Sequence, residues 1–188
     1  MHAERRHFLQ LSAEVTGYSP TDLEGTGQVD AYLALLEAEL GPAVMHQLDE
    51  ATRHVLSHRR ADARARAMQL RILASPVLWP AVAGLMQLWY LGTWTSMSAQ
   101  WYTLAGFKQV PPGITPGKAR VPSAQAYEQQ LAFRGAGAHP PGTRPTGHGS
   151  WAMPPVFGDV PPPPSAPSTA VRKTARKGAP GGTTRSGR

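Results

Sequence analysis

The chain has 188 residues, with 19 Lys or Arg, 12 Asp or Glu and a formal net charge of +7. That length suits one modest domain plus a tail. No cysteine occurs, which excludes disulfides, thiolate metal sites and a cysteine nucleophile.

Charge is divided unevenly. Residues 1–62 hold ten acids and five Lys or Arg, whereas residues 63–188 hold two acids and fourteen Lys or Arg. Residues 161–188 alone carry six positive charges and no acid, so the pI near 10.2 is largely a property of the tail.

Arg5-Arg6-His7-Phe8-Leu9 has the start of a twin-arginine export signal. An export signal needs an uncharged apolar stretch next, and Glu14, Pro20, Asp22 and Glu24 follow instead. The spacing of Phe8, Leu11 and Val15 therefore predicts a short amphipathic helix ended at Gly17. A polar turn over Ser19-Pro20-Thr21-Asp22 separates it from three helical patterns.

Val29, Tyr32, Leu33, Leu36 and Leu40 form the first stripe, closed by Gly41-Pro42. Val44, Leu48, Ala51 and Val55 form the second. Ala63, Ala67, Leu70 and Ala74 form the third, with Arg64, Arg66 and Arg71 off the stripe. Short connections favour antiparallel packing, and no convincing strand pattern occurs. The expected fold class is all-α, a small helical domain over residues 1–134.

Ile72 to Trp94 is uncharged and mostly apolar, long enough for a membrane span. Pro76 and Pro80 interrupt it, and Ser75, Gln87 and Thr93 are polar. A broken helix over about 76–91, buried on all sides, is the favoured reading. Its apolar surface is expected to exceed what the domain's own helices cover, which leaves a share for a partner. Met97, Trp101, Tyr102, Leu104 and Phe107 extend the aromatic cluster. Loops follow at Pro111-Pro112-Gly113 and Pro116-Gly117.

A last short helix is expected from Ser123, with Tyr127, Leu131 and Arg134 on one side and Gly135 and Gly137 as stops. Residues 135–160 cannot be helix or central strand, because prolines at 140, 141, 145, 154 and 155 fix φ and remove donors. Trp151 and Met153 inside that run suggest an ordered arm against a surface. Pro161 to Pro164 reads as a polyproline spacer and the rest as a disordered basic tail. Arg172, Lys173, Arg176, Lys177, Arg185 and Arg188 could neutralise phosphates of nucleic acid or anionic lipid, but no aromatic residue interleaves to stack on bases.

Catalytic patterns are weak. His54 and His58 have the i, i+4 spacing of a shared metal site, yet Val55 stands where a zinc-protease pattern needs Glu, and Arg53, Arg59 and Arg60 oppose a cation. His139 and His148 lie nine apart among Gly and Pro, where packing or turn roles are favoured. Gly147-His148-Gly149-Ser150 lacks the strand and helix of a nucleophile elbow.

Three stretches in order resemble one family. Phe8-Leu9-Gln10-Leu11-Ser12-Ala13-Glu14-Val15-Thr16-Gly17 is similar to its Phe-Leu-x-Leu-Ser-x-x-Leu-Thr-Gly opening. Gln87-Leu88-Trp89-Tyr90-Leu91-Gly92 is similar to its central Trp-Tyr-x-Gly. Tyr127-Glu128-Gln129-Gln130-Leu131, then Pro140-Pro141-Gly142-Thr143, Gly147-His148-Gly149 and Trp151-Ala152-Met153-Pro154-Pro155, resemble its C-terminal signature. The family is the small (gamma) subunit of membrane-bound FAD-dependent sugar and polyol dehydrogenases, the sorbitol dehydrogenase small-subunit family.

The resemblance covers about residues 8–155 and implies a non-catalytic partner. FAD would belong to a large glucose-methanol-choline-type subunit, and a multihaem cytochrome c subunit would pass electrons to quinone. The small subunit would stabilise the large one and help to export it to the periplasmic side of the inner membrane. The chain departs from the family by lacking the apolar half of an export signal, which leaves a cytoplasmic location open. Trp89, Tyr90, Trp94, Tyr127, Trp151, Pro154 and Pro155 are the expected partner-binding residues, with filling of the chain's own core as the alternative for each aromatic.

Overall fold

The computed structural model describes residues 2–138, which fall within one compact unit. The arm beyond residue 138 and the basic tail, both expected from sequence, lie outside the described residues. The described fold is all-α apart from two strands of two residues each.

Helix α1 spans His2–Thr16 and ends at Gly17, as its apolar spacing predicts. The stretch expected to be a plain turn is instead a short helix, α2, Pro20–Glu24. Ser19 caps it and Asp22 returns a bond to the cap backbone, so Ser19-Pro20-Thr21-Asp22 is a capping box. The Ser19 hydroxyl also holds the Asp22 carboxyl below its usual range.

Helix α3, Val29–Leu56, joins the first two stripes across a kink. Gly41 has φ +68°, which a side chain disfavours, and Pro42 cannot donate to the preceding turn. Val29, Tyr32, Leu36 and Leu40 are buried before the kink, and Val44, Leu48 and Val55 after it.

Helix α4, Ala61–Met68, keeps the third stripe only as far as Ala67. A π-helical turn over Gln69–Leu73 follows, with Ala74 N–H bonded to Gln69 O at 2.9 Å. The i→i+5 bond shifts the phase of the helix. Ile72 now points inward, and Leu70, expected on the buried stripe, is 64% exposed.

Helix α5, Leu78–Leu91, is the centre of the fold. Pro76 lies in a real break, where the chain bends by 110° between the π turn and α5, and Ser75 Oγ accepts from Leu78 N–H at 3.1 Å across it. Helices α1 and α3, the π turn, and the later elements near residues 94, 126 and 133 all touch α5. Leu78, Ala81, Val82, Leu85, Leu88 and Trp89 are buried. The expectation that this stretch exceeds the domain's own cover is therefore corrected along its middle. Trp79 and Leu91, at the two ends, stay exposed. No single described helix is long and apolar enough to cross a membrane; α4 with the π turn and α5 pass together only as a pair bent by 110°.

Strand β1, Trp94–Thr95, pairs antiparallel with β2, Ala119–Arg120. Between them α6, Ala99–Leu104, carries Trp101 and Tyr102 into the core, where both rings meet Phe107. The single helix expected from Ser123 to Gly135 is two, α7 Ala124–Glu128 and α8 Leu131–Gly135. Ser123 does cap the first. The break turns Ala126 and Leu131 inward and leaves Tyr127 at the surface.

Candidate interaction surface and an acidic pocket

Four of the expected partner-binding residues lie in the described part. Trp89 and Trp94 are 1% and 0% exposed. Trp89 meets the Tyr32 ring edge-on at 4.7 Å, and the Trp94 ring lies against Gly84 of α5. Both fill the chain's own core and have no surface left to offer, because α5 and its neighbours close around them. Tyr90 is half-buried, and its hydroxyl donates to Thr16 O at 2.7 Å, closing the end of α1. Tyr127 is accessible and stacks edge-on against Phe133 at 5.9 Å. Trp151, Pro154 and Pro155 lie outside the described residues.

The large apolar side chains left at the surface sit elsewhere. Leu70 and Leu73 project from the π turn, Trp79 from the first turn of α5 and Leu104 from the end of α6. Pro76, Pro80, Trp101 and Leu104 line one shallow groove of about 490 Å³ with Ser98, Gln100 and Thr103. Leu70, Leu73 and Trp79 are thus exposed around the bend between α4 and α5, and Pro76 and Pro80 of the same stretch reach the groove beside Leu104. Leu91, Val121 and Tyr127 are exposed near the other end of α5. Regular helical spacing does not reveal that Leu70 and Leu73 face out, because the π turn sets their direction.

A buried polar knot was also missed. Glu39 is fully buried on α3, yet it accepts from Ser96 Oγ at 3.3 Å, Tyr102 Oη at 3.3 Å and Arg120 Nη2 at 2.5 Å. A buried carboxylate needs such partners. Burial, then the nearby Glu39 charge, pushes the Tyr102 hydroxyl up to about 12. The knot fixes the β1–β2 ribbon and α6 to the middle of α3. Its signal in the sequence was an acid beside Leu36 and Leu40, on the apolar side of the helix.

Between α1 and α3 lies a pocket of about 450 Å³. Phe8, Leu11, Leu33, Pro42, Met45 and Leu48 supply apolar wall, and Glu4, His7, Glu37, His46, Asp49 and Thr52 the polar part. His7 Nδ1 is 2.7 Å from Asp49 Oδ1, and Arg53 Nε donates to Asp49 Oδ2 at 2.9 Å. Thr52 is buried, and its hydroxyl has no hydrogen-bond partner among the described residues.

The two histidines weighed as a metal pair, His54 and His58, meet edge-on with ring centres 5.2 Å apart. Among the described residues, no group of three His, Asp or Glu gathers closely enough to hold a metal ion. Comparison with protein-family models, curated proteins and solved structures finds no match.

Proposed function

We propose that the chain is a non-catalytic accessory subunit that stabilises the FAD-containing catalytic subunit of a membrane-bound sugar or polyol dehydrogenase. The three ordered stretches that resemble the small-subunit family suggest the partner. One structural observation supports an accessory role: Leu70, Leu73 and Trp79 are exposed around the bend between α4 and α5, and Leu104 lines the groove with Pro76 and Pro80 of that bend. Large apolar side chains grouped at one corner are a usual mark of a protein contact, whereas scattered ones are not.

On this reading, the corner docks on the large glucose-methanol-choline-type subunit, and Tyr127 supplies a second contact near the end of α5. Trp151, Pro154 and Pro155 extend the contact along the arm. The flavin and the substrate site belong to the large subunit. A multihaem cytochrome c subunit passes the electrons on, on the periplasmic side of the inner membrane. The chain's role is to hold the large subunit folded and to accompany it in export.

Affinity purification of the full chain from its native cells tests this reading. The expected eluate contains a larger protein with flavin absorption. An eluate with nucleic acid or lipid and no flavoprotein would move the function to the basic tail or the apolar corner as a lipid contact.

A further inference from the structure

We propose that the partner face covering the bend between α4 and α5 is acidic: the large subunit docks there with carboxylates set against Arg66 and Arg71. The inference rests on the accessory reading above and adds the charge of the partner's contact face.

Pairing is the first observation. Most arginines near this part of the fold are matched within the chain: Arg53 bonds Asp49, Arg60 bonds Asp62, and Arg64 lies 3.3 Å from Glu14. Arg66 and Arg71 are exposed and have no hydrogen-bond or ion-pair partner among the described residues. Glu50 lines a shallow depression with Arg71, but its carboxylate lies 3.7 Å from His46 and 4.0 Å from Arg53.

Placement is the second. Ala67 and Ile72 stand five apart and are both buried, because the π turn lengthens the step between residues on one side. The same step brings Arg66 and Arg71, each one position earlier, to a common side of this limb. Leu70 lies one turn beyond Arg66 and next to Arg71, and it is 64% exposed. The two guanidinium groups therefore border exposed apolar surface.

The third observation is the sequence around the bend. Residues 63–127 hold six Lys or Arg and no Asp or Glu. The carboxylates that meet Arg64 and Arg120 come from α1 and α3. The π turn, α5 and α6 have no negative group of their own to offer Arg66 or Arg71. Burying leucines beside unmatched cations costs free energy, and a partner carrying the opposite charge removes that cost.

Anionic lipid would match the cations as well. The outgoing limb argues for protein. Pro76 and Pro80 line a groove of about 490 Å³ with Trp101 and Leu104. A folded partner can fill a groove with a protruding side chain, whereas a fluid bilayer presents no fixed one.

Single charge reversals in the full chain test the inference. Wild type, Arg66→Glu, Arg71→Glu and Arg6→Glu are each used to capture flavoprotein from native cells, and flavin absorbance per mole of chain is read. Arg6, on α1, is likewise exposed and without a partner among the described residues, so it controls for net charge. At about 0.05 M salt, Arg66→Glu and Arg71→Glu should each lower capture at least about fivefold, and Arg6→Glu less than about twofold. At about 0.5 M salt the wild type should fall towards the level of the two variants. If one variant loses its helical circular dichroism, the other decides.

Unchanged capture by both folded bend variants would overturn the acidic face and leave the accessory reading standing. Equal loss in Arg6→Glu would reduce the effect to net charge and overturn it too. Variants that keep the flavoprotein but lose binding to phosphatidylglycerol vesicles would assign the cations to lipid instead. Absence of flavoprotein from the wild type would overturn the accessory reading and this inference with it.

Discussion

Gly92 turns in the left-handed region directly against the Ala126 carbonyl. Its φ is +60°, and a Cβ at this position would lie 2.3 Å from Ala126 O and 2.7 Å from Ala126 C. The turn ends α5 and lets α7 close over it. The Trp-Tyr-x-Gly stretch thus has a physical reason for its last residue. Gly92→Ala meets both a conformational cost of about 1–2 kcal/mol and a clash with backbone that cannot rotate away. Thermal unfolding should show a large loss of stability. Gly106→Ala, where φ is +83° and a Cβ meets nothing within 4 Å, should carry the conformational cost alone. Equal losses at the two sites would contradict the close approach.

Glu39→Ala should rank among the more damaging single changes. It removes the shared acceptor of Ser96, Tyr102 and Arg120 and leaves two buried hydroxyls unsatisfied. Breaking a buried pair costs about 3–5 kcal/mol, and the half-exposed Arg120 side chain, which water can resolvate, argues for the lower end. Denaturant unfolding monitored through the tryptophans measures it. A loss within the range of an ordinary surface change would mean that the knot is not a stabilising element.

Two tyrosines should ionise late. Burial alone raises Tyr32 to about 12, and burial together with Glu39 raises Tyr102 to about 12, from the ordinary tyrosine value of 10.0. The folded chain therefore holds these protons more tightly than the unfolded chain does. Their contribution to stability is complete below about pH 10 and is lost as pH rises through about 12. Tyrosinate absorbance against pH, with the denaturant-unfolded chain as reference, shows this directly. Ionisation of every tyrosine near pH 10 with the fold intact would refute it.

Trp89 and Trp79 should behave oppositely although they are ten positions apart in one apolar stretch. Trp89→Ala empties a fully buried site and should cost about 3–5 kcal/mol of folding stability. Trp79→Ala acts at a 43% exposed position and should change the isolated chain's stability little while weakening the partner complex. Parallel melting curves and co-purification yields separate the two roles.

The helices were legible in the sequence wherever periodicity and stop signals agreed. Gly17 and Gly41-Pro42 mark real ends or kinks, and the stripes through Tyr32, Leu36 and Leu40, and through Val44, Leu48 and Val55, face the core. The third stripe fails at Leu70 because regular spacing cannot anticipate an i→i+5 turn. Trp89 and Trp94 announced a large apolar requirement, but composition gives no direction, so core and interface could not be separated. The His7–Asp49 contact joins residues 42 positions apart, and Glu39 meets Arg120 across 81. Only the folded chain brings them together. Glu39 left one trace that the stripe through Leu36 and Leu40 passes over, an acid next to Leu40 on the side of the helix that is buried.

The measurement that bears most directly on the accessory role compares the wild-type full chain with a Leu70→Ser, Leu73→Ser, Trp79→Ala triple variant. Both are purified from native cells, and flavin absorbance per mole of chain is read. The changed side chains are exposed, so the variant should keep its helical circular dichroism and its melting midpoint within a few degrees. Flavoprotein should co-purify with the wild type and fall at least about tenfold in the variant, as for loss of an interface anchor of roughly 1.4 kcal/mol or more. Undiminished flavin in a folded variant would contradict docking through this corner, and absence of flavoprotein from the wild type would contradict the accessory role itself.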